Sequence, residues 1–409
     1  MKAKIARWLF PFWLAAAAWG GHPREGETVL ALPELVEEAL RNNPEIQAAE
    51  RQAEAAGAVI SQVRTLPDPL FNVGYRNVDE RETMYGVTQE IPFPGKLGLK
   101  GEVAARDAER MEQEYRAARL DVVARLKEAY YDLHFVHDSE EVVEKNKRLL
   151  QDFAKTAEVR YAVGEGAQQD VFRAQAEVSR LLARLATLEQ KRRSLHAELN
   201  RLLNRTPSDP LGTPGEIALT PVRRDADKLL ALSEEAAPLL KAQQKNIERG
   251  EQAAALARRE YLPDFEVSAQ GVRNSTMKQD GYQVMLGVKV PLYFASKQKE
   301  GVREAVAMRE AAAQGWQATR QELAAKIRDN LAQAERSAEL VALLKDAIIP
   351  QARLTLASAQ AGYAVGQVDF LTLLNSLLTL QENEIELHGE MVEHEKALAR
   401  LEAIVGEQP

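Results

Sequence analysis

The strongest constraint on this chain is that its body is written twice. Pro44 in Asn42-Asn43-Pro44 returns as Pro238 in Ala236-Ala237-Pro238, 194 residues on. Pro67 in Arg64-Thr65-Leu66-Pro67-Asp68 returns as Pro263 in Glu260-Tyr261-Leu262-Pro263-Asp264, 196 on, and Pro92 returns as Pro291, 199 on. Tyr161-Ala162-Val163-Gly164 recurs verbatim as Tyr363-Ala364-Val365-Gly366, 202 on. A slowly growing offset is what small insertions into a duplicated unit leave, so two units of one plan are expected. The stretch 206–215 holds three prolines and two glycines, a density that excludes helix and marks the boundary. The expected division is 1–20 as an address segment, 21–210 as the first repeat and 211–409 as the second.

Within each repeat the elements follow in the same order. A helix opens at Pro44, where proline suits the first turn and Asn43 can cap it, and runs to about Leu66. Two short alternating runs follow, then a long helix over 99–161, a glycine turn, and a helix over 168–204. That last helix carries Leu181, Leu185, Leu188, Leu195, Leu199 and Leu202 at coiled-coil spacing. The second repeat matches it with Leu377, Leu380, Leu387, Met391, Leu398, Leu401 and Val405, interrupted by Glu384 and His394. The long segment of 63 residues reaches about 95 Å. Beside it the flanking helices 44–66 and 168–204 supply 60 residues, and 238–261 with 369–404 again supply 60 beside the 64 of 298–361. Two shorter helices can therefore line up along one long one, twice per chain, as an elongated helical sheath. Ile349-Pro350 is expected to kink or interrupt the second long helix.

The short runs are 70–76, 84–91, 265–272 and 282–290. Phe71, Val73 and Tyr75 fall on one face, as do Tyr282, Val284, Leu286, Val288 and Val290, and the length suits strands of an outer-membrane barrel. Polar connectors over 77–83 and 274–281 join each pair. Alternation alone fits equally a pair of soluble hairpins capping a helical bundle. Four strands cannot close a barrel, because the smallest need about eight and open edges are forbidden in lipid. If these strands enter a membrane, several copies must close the wall, and a trimer supplies twelve.

The N-terminus reads as an address. Lys2, Lys4 and Arg7 precede the apolar run 8–19, and small residues near Gly20 suit cleavage. Twelve apolar residues broken by Pro11 are too few to span a bilayer, which needs about 20; a short anchor is the competing reading. Removing 1–20 leaves 50 basic against 61 acidic residues, a net charge of -11. That balance argues against nucleic acid as a partner. The absence of cysteine rules out a thiolate metal site, a disulfide framework and a lipid-modified cysteine. With 28% charged and only 6% aromatic residues, the composition favours long helices.

The order helix, strand pair, long helix, glycine turn, helix, given twice, resembles the TolC-like outer-membrane efflux proteins. The motifs that carry the likeness are 37–46 (Glu37 to Ile46), Tyr261 to Val267, Tyr363-Ala364-Val365-Gly366 and Phe370 to Asn375, across essentially 33–405. The resemblance is nearest to the cation-efflux branch. It implies a mostly α fold with a small β part: a homotrimeric α-helical barrel in the periplasm, continuous with a 12-stranded β-barrel in outer-membrane lipid, four strands per chain. It also implies a passive exit duct fed by an inner-membrane pump and a periplasmic adaptor. In such proteins the two glycine turns form the tip, which places Val163, Gly164, Val365 and Gly366 where the adaptor docks. Asp170 matches an acidic gate position and Tyr363 its tyrosine partner. Some relatives carry a basic residue where this chain has Gln367, and their acidic constriction ring falls here on Thr372 and Asn375. A cation-selective carboxylate ring at those positions is therefore not expected.

No nucleophile elbow, phosphate loop, zinc-type histidine spacing or dinucleotide fingerprint occurs, so neither enzyme activity nor a cofactor is expected. His134 and His137, with Asp132, Asp138 and Glu141 nearby, can be read as a metal site, though such pairs more often serve as helix surface. The competing function is a soluble periplasmic coiled-coil adaptor or tether. An adaptor needs a lipoyl-like β domain between its hairpin helices, and only turns lie at Gly164 and Gly366.

Overall fold

The computed structural model describes residues 29–78, 80–222 and 225–406. The address segment 1–20 lies outside them. The first half contains β1 (Val29–Leu30), α1 (Leu32–Asn42), α2 (Pro44–Arg64), β2 (Leu70–Val78), β3 (Glu80–Ile91), α3 (Lys96–Ala162) and α4 (Gln168–Leu202). The second contains β4 (Thr213–Pro214), α5 (Ala226–Ala236), α6 (Pro238–Arg259), β5 (Asp264–Asn274), β6 (Gln279–Lys289), α7 (Gln298–Leu343), α8 (Ile349–Ala364) and α9 (Phe370–Val405). The short helices α1 and α5, which precede each proline-started helix, were not anticipated. Both end at a bend before a proline, where the preceding residue is pushed out of helical geometry.

The helices stack as their lengths require. At 67 residues α3 runs about 100 Å, and it packs against α2 and α4 as well as α6 and α9. Asn43 joins the two stacked ends. Its side-chain oxygen accepts from Glu45 N at 2.8 Å and Ile46 N at 3.2 Å, capping α2, while its amide donates to Leu202 O at the end of α4 at 2.8 Å. Ala237, its counterpart, caps nothing by side chain. The second long helix is interrupted as proline demands. Leu344–Ile348 form a π-helical turn in which Ile349 N bonds back to Leu344 O, widening the backbone just before Pro350.

The two polar residues that break the leucine stripe of α9 each have a job in packing. Glu384 is buried and takes ion pairs from Arg353 on α8 at 2.9 Å and Lys145 on α3 at 3.4 Å. His394 holds its two ring nitrogens 2.8 Å from Ala334 O on α7 and from Thr220 O in the segment between the repeats. Glu395 takes the N–H and hydroxyl of the same Thr220 at 2.6 and 3.0 Å. The linker is thus strapped to α9, as buried polar groups require partners. Asp138 likewise joins α3 to α9: its Oδ2 lies 2.7 Å from His388 Nδ1 and 3.1 Å from His134 Nδ1. Burial pushes its carboxyl up, and the two imidazoles more than reverse that, holding it well below the usual range. The histidine facing His134 across this carboxylate is therefore His388, far away in sequence. Among the described residues no group of three or more histidine or carboxylate side chains is arranged to hold a metal.

The four long strands form one antiparallel sheet ordered β2-β3-β5-β6. The ladders run further than the alternating runs, with Val78 paired to Glu80 and Asn274 to Gln279. The expected polar connectors are therefore mostly strand, because backbone pairing is indifferent to side-chain polarity; Arg76 and Glu82, opposite each other there, pair at 2.5 Å. Register decides the faces. Phe71, Val73, Tyr85, Val87, Val284 and Leu286 share one; Asn72, Arg76, Glu82, Thr88, Gln270 and Gln283 share the other. On the apolar face Tyr85 lies across Gly271, where a β-carbon would meet its ring at 2.6 Å. Tyr282 is 90% exposed and Val73 83%. Lys96, at the start of α3, seats the sheet on the helices: its buried Nζ donates to Asp264 Oδ1 at 2.9 Å and Leu262 O at 3.0 Å.

Asn43→Ala removes a helix cap and strands the buried Leu202 carbonyl, so a loss of about 1–3 kcal/mol is expected. Urea unfolding followed by circular dichroism should show it, with Ala237→Asn giving no comparable loss.

Candidate functional site

At the end farthest from the sheet, α3 and α8 both terminate in the repeated Tyr-Ala-Val-Gly sequence. The identical letters fold identically. Gly164 at φ 83° and Gly366 at φ 75° take the left-handed conformation that ends a helix and suits glycine. Gly164 N bonds Tyr161 O at 3.0 Å, and Glu165 N and Gly166 N bond Arg160 O at 2.8 and 3.0 Å. Gly366 N bonds Tyr363 O at 3.2 Å, and Gln367 N and Val368 N bond Gly362 O at 2.9 and 3.3 Å. Val163 and Val365 stand 65% and 70% exposed at the apex of the two turns. Apolar side chains held out at a chain reversal are a surface on which another protein can bury them.

The helices that leave the turns begin differently. Asp369 caps α9 by accepting from Thr372 N at 2.8 Å; the bonds from Thr372 hold its carboxyl below the usual range. Ala167 precedes α4 without a side-chain cap. Gln367 is exposed in the turn, and Thr372 and Asn375 are exposed three residues apart on α9, opposite the buried Leu373 and Leu374.

Tyr363 is the centre of the tip. It is buried, packs edge-on against Phe370 at 5.6 Å, and belongs to the core shared by both hairpins. Burial raises the hydroxyl's pKa, the charge of Asp170 raises it further, and Arg160 opposes them. Asp170 therefore stands near enough to act on Tyr363, partly exposed in the first turn of α4. Among the described residues, no hydrogen bond joins that hydroxyl to Asp170 within one chain.

One residue here escaped the sequence reading. Arg160 donates through Nη1 to Tyr363 O, and its guanidinium lies 4.9 Å over the Tyr363 ring. The available signal was an asymmetry: Arg160 precedes the first copy of the motif where Gly362 precedes the second. Gly362 is required small, since a β-carbon there would meet Val368 Cγ2 at 2.6 Å.

Comparison with known proteins agrees with this arrangement. A family model described as outer membrane efflux protein matches residues 35–205 and 229–407. The cobalt-zinc-cadmium resistance protein CzcC of Cupriavidus metallidurans is 22% identical over 388 residues, covering 94% of this chain and 92% of its own. The outer membrane protein TolC of Vibrio cholerae is 22% identical over 405 residues, covering 92% and 90%. Among solved structures, CusC superposes with a TM-score of 0.81 at 15% identity, covering 92% of each chain. The outer membrane protein VceC of Vibrio cholerae gives 0.79 at 18%, covering 92% and 96%.

The two turn glycines should differ in their tolerance of a side chain. Gly164→Ala meets nothing within 4 Å, so only the left-handed backbone is penalised, by roughly 1–2 kcal/mol. Gly366→Ala bears the same penalty and also presses on Arg160 Nη2, at 3.1 Å. Hydrogen exchange at the tip amides should therefore accelerate more in Gly366→Ala than in Gly164→Ala.

Proposed function

We infer the working of this chain from the outer membrane efflux protein family, to which it belongs. It is an outer-membrane efflux channel of the TolC-like kind, with its helical part in the periplasm. The observation that carries the detailed reading is the sheet. It has an apolar face, a polar face and two edges, β2 and β6, with no further strand partner among the described residues. Unpaired backbone groups each cost several kcal/mol in hydrocarbon, so a sheet that enters lipid must be closed. Three copies joining β6 of one to β2 of the next close a wall of twelve strands, apolar outside and polar within. The stacked helices continue that wall as a periplasmic tube, and the duplicated plan gives each copy two similar staves.

At the tube's far end, Val163, Gly164, Val365 and Gly366 receive the hairpin of a periplasmic adaptor, which links the duct to an inner-membrane pump. Asp170 and Tyr363 take part in the gate there. Gln367, Thr372 and Asn375 bring no charge, so the tip selects cargo by aperture rather than by a carboxylate ring. Cargo choice rests with the pump, as a passive wall needs no substrate pocket.

Crosslinking of the purified protein from outer-membrane fractions should give trimers, and a soluble monomer in the periplasmic fraction would refute the reading. Face assignment is separately testable. Leu286→Arg places charge on the lipid side and should weaken folding into bilayers by about 2–4 kcal/mol if it lies near the midplane. Gln283→Arg, on the polar face, should fold as the parent does. Equal effects of the two would mean that the sheet does not separate lipid from lumen.

A further inference from the structure

We infer that Arg160 is the positioning residue that keeps the tip shut, by holding the second hairpin's turn against the first within each copy. This rests on the reading of the chain as a channel gated at its tip. The duplication supplies the control. The turns share three backbone bonds, with Arg160 O in one doing what Gly362 O does in the other; the first adds Val163 N to Val159 O at 3.2 Å. A turn of this sequence therefore needs no side chain at that position, and Arg160 contributes little to its own. Its contact there is limited to Nη2 near Glu165 O at 3.5 Å.

Its strong contacts cross to the other hairpin. Nη1 donates to Tyr363 O, a carbonyl in the last turn of α8, where the helix dipole favours a cation. The guanidinium covers the Tyr363 ring at 4.9 Å, and Nη2 occupies the space beside Gly366, 3.1 Å from where a β-carbon there would stand. Three features of the second turn (carbonyl, aromatic face and glycine) thus meet one planar cation, the geometry for which arginine differs from lysine. Tyr363 in turn packs on Phe370 and stands close to Asp170. The first hairpin thus brings both Arg160 and Asp170 to the tyrosine of the second. For α8 and α9 to swing away from α3 and α4 at the tip, the guanidinium must leave both the ring and the carbonyl. Arg160 provides a basic group at the tip although position 367 is glutamine.

The two possible latches separate by mutation. Tyr363→Phe deletes the hydroxyl on which the charge of Asp170 acts but keeps the ring and the backbone carbonyl under Arg160. Arg160→Ala deletes the grip and keeps the hydroxyl. Single-channel recording on purified trimers in planar bilayers should find Tyr363→Phe, which loses only the hydroxyl, opening far less than Arg160→Ala. Arg160→Ala should raise mean conductance roughly tenfold or more, since a two-state gate loses one charged hydrogen bond in each of three copies. Arg160→Lys, which keeps the charge without the plane, should fall between. Arg180→Ala removes an exposed arginine of the same hairpin, paired within α4 to Glu177, and should match the parent. Trimer content and melting temperature are measured for each variant, so that opening is told apart from unfolding.

An Arg160→Ala conductance equal to the parent's would overturn the inference, as would a Tyr363→Phe channel that opens as far as Arg160→Ala. Should Arg160→Ala fail to form trimers, the Lys variant and Tyr363→Leu, which removes the ring beneath the guanidinium, carry the test. Closed channels in both of those would equally refute the grip. If no trimer, parent included, conducts under any condition, the channel reading fails, and the latch with it.

Discussion

Every backbone N–H and C=O in hydrocarbon must have a partner, and a four-stranded sheet with two free edges cannot meet that rule alone. The rest of the molecule follows from this shortfall. The strands are long enough to cross lipid, their faces are sorted into apolar and polar, and among the described residues β2 and β6 have a strand on one side only. Once the sheet is a segment of a shared wall, the helices below it must form segments of a shared tube. A pair of helices abutting end to end along a longer one is a stave of the right length for that purpose. Lys96, buried against Asp264 and the Leu262 carbonyl, carries the sheet's position into the first turn of α3.

Duplication gives the two halves the same plan, and the departures from it are where the chain becomes specific. Asn43 bridges two helix ends where Ala237 does not. The first long helix is unbroken, while Pro350 sits in the second just after a π-helical turn that leaves room for its ring. Arg160 precedes one tip turn and Gly362 the other. Because the two tip turns close with the same three bonds, the differences between Arg160 and Gly362 are not demanded by that closure. They distinguish a hairpin that holds from a hairpin that is held.

The polar residues of α9 make the same point about stability. Glu384 and His394 look like faults in a leucine stripe, and in isolation they would weaken a coiled coil. Each instead reaches beyond its own helix: Glu384 to α3 and α8, His394 to α7 and the segment between the repeats. A stripe of leucines sets how far apart helices lie but leaves register and partner loosely specified. Satisfied polar contacts specify both, since shifting them by a turn would bury them unpaired.

Much of this was legible in the amino-acid order, because its signals are local or periodic. Prolines opened the helices, glycines ended them, the leucine spacing marked the coiled coils, and strand alternation pointed to an apolar face. The helix over 32–42 carries no capping signal of its own, since Ala31 caps nothing by side chain and Asn43, at its end, caps the next helix. The strands run past their alternating stretches into polar residues because a ladder needs only backbone, so polarity there does not mark a loop. At the candidate site, Tyr363 and the turn valines announced themselves by exact repetition. Arg160 did not, since its partners are about 200 residues away and nothing in its neighbours tells which way a long side chain will reach. The same holds for His388, which meets Asp138 across two helices. Periodicity and turn chemistry are properties of neighbouring residues, so the sequence by itself determined the elements, their order and their duplication. Which charged side chain meets which carbonyl depends on how helices far apart in the chain are packed, and only the tertiary structure decided that.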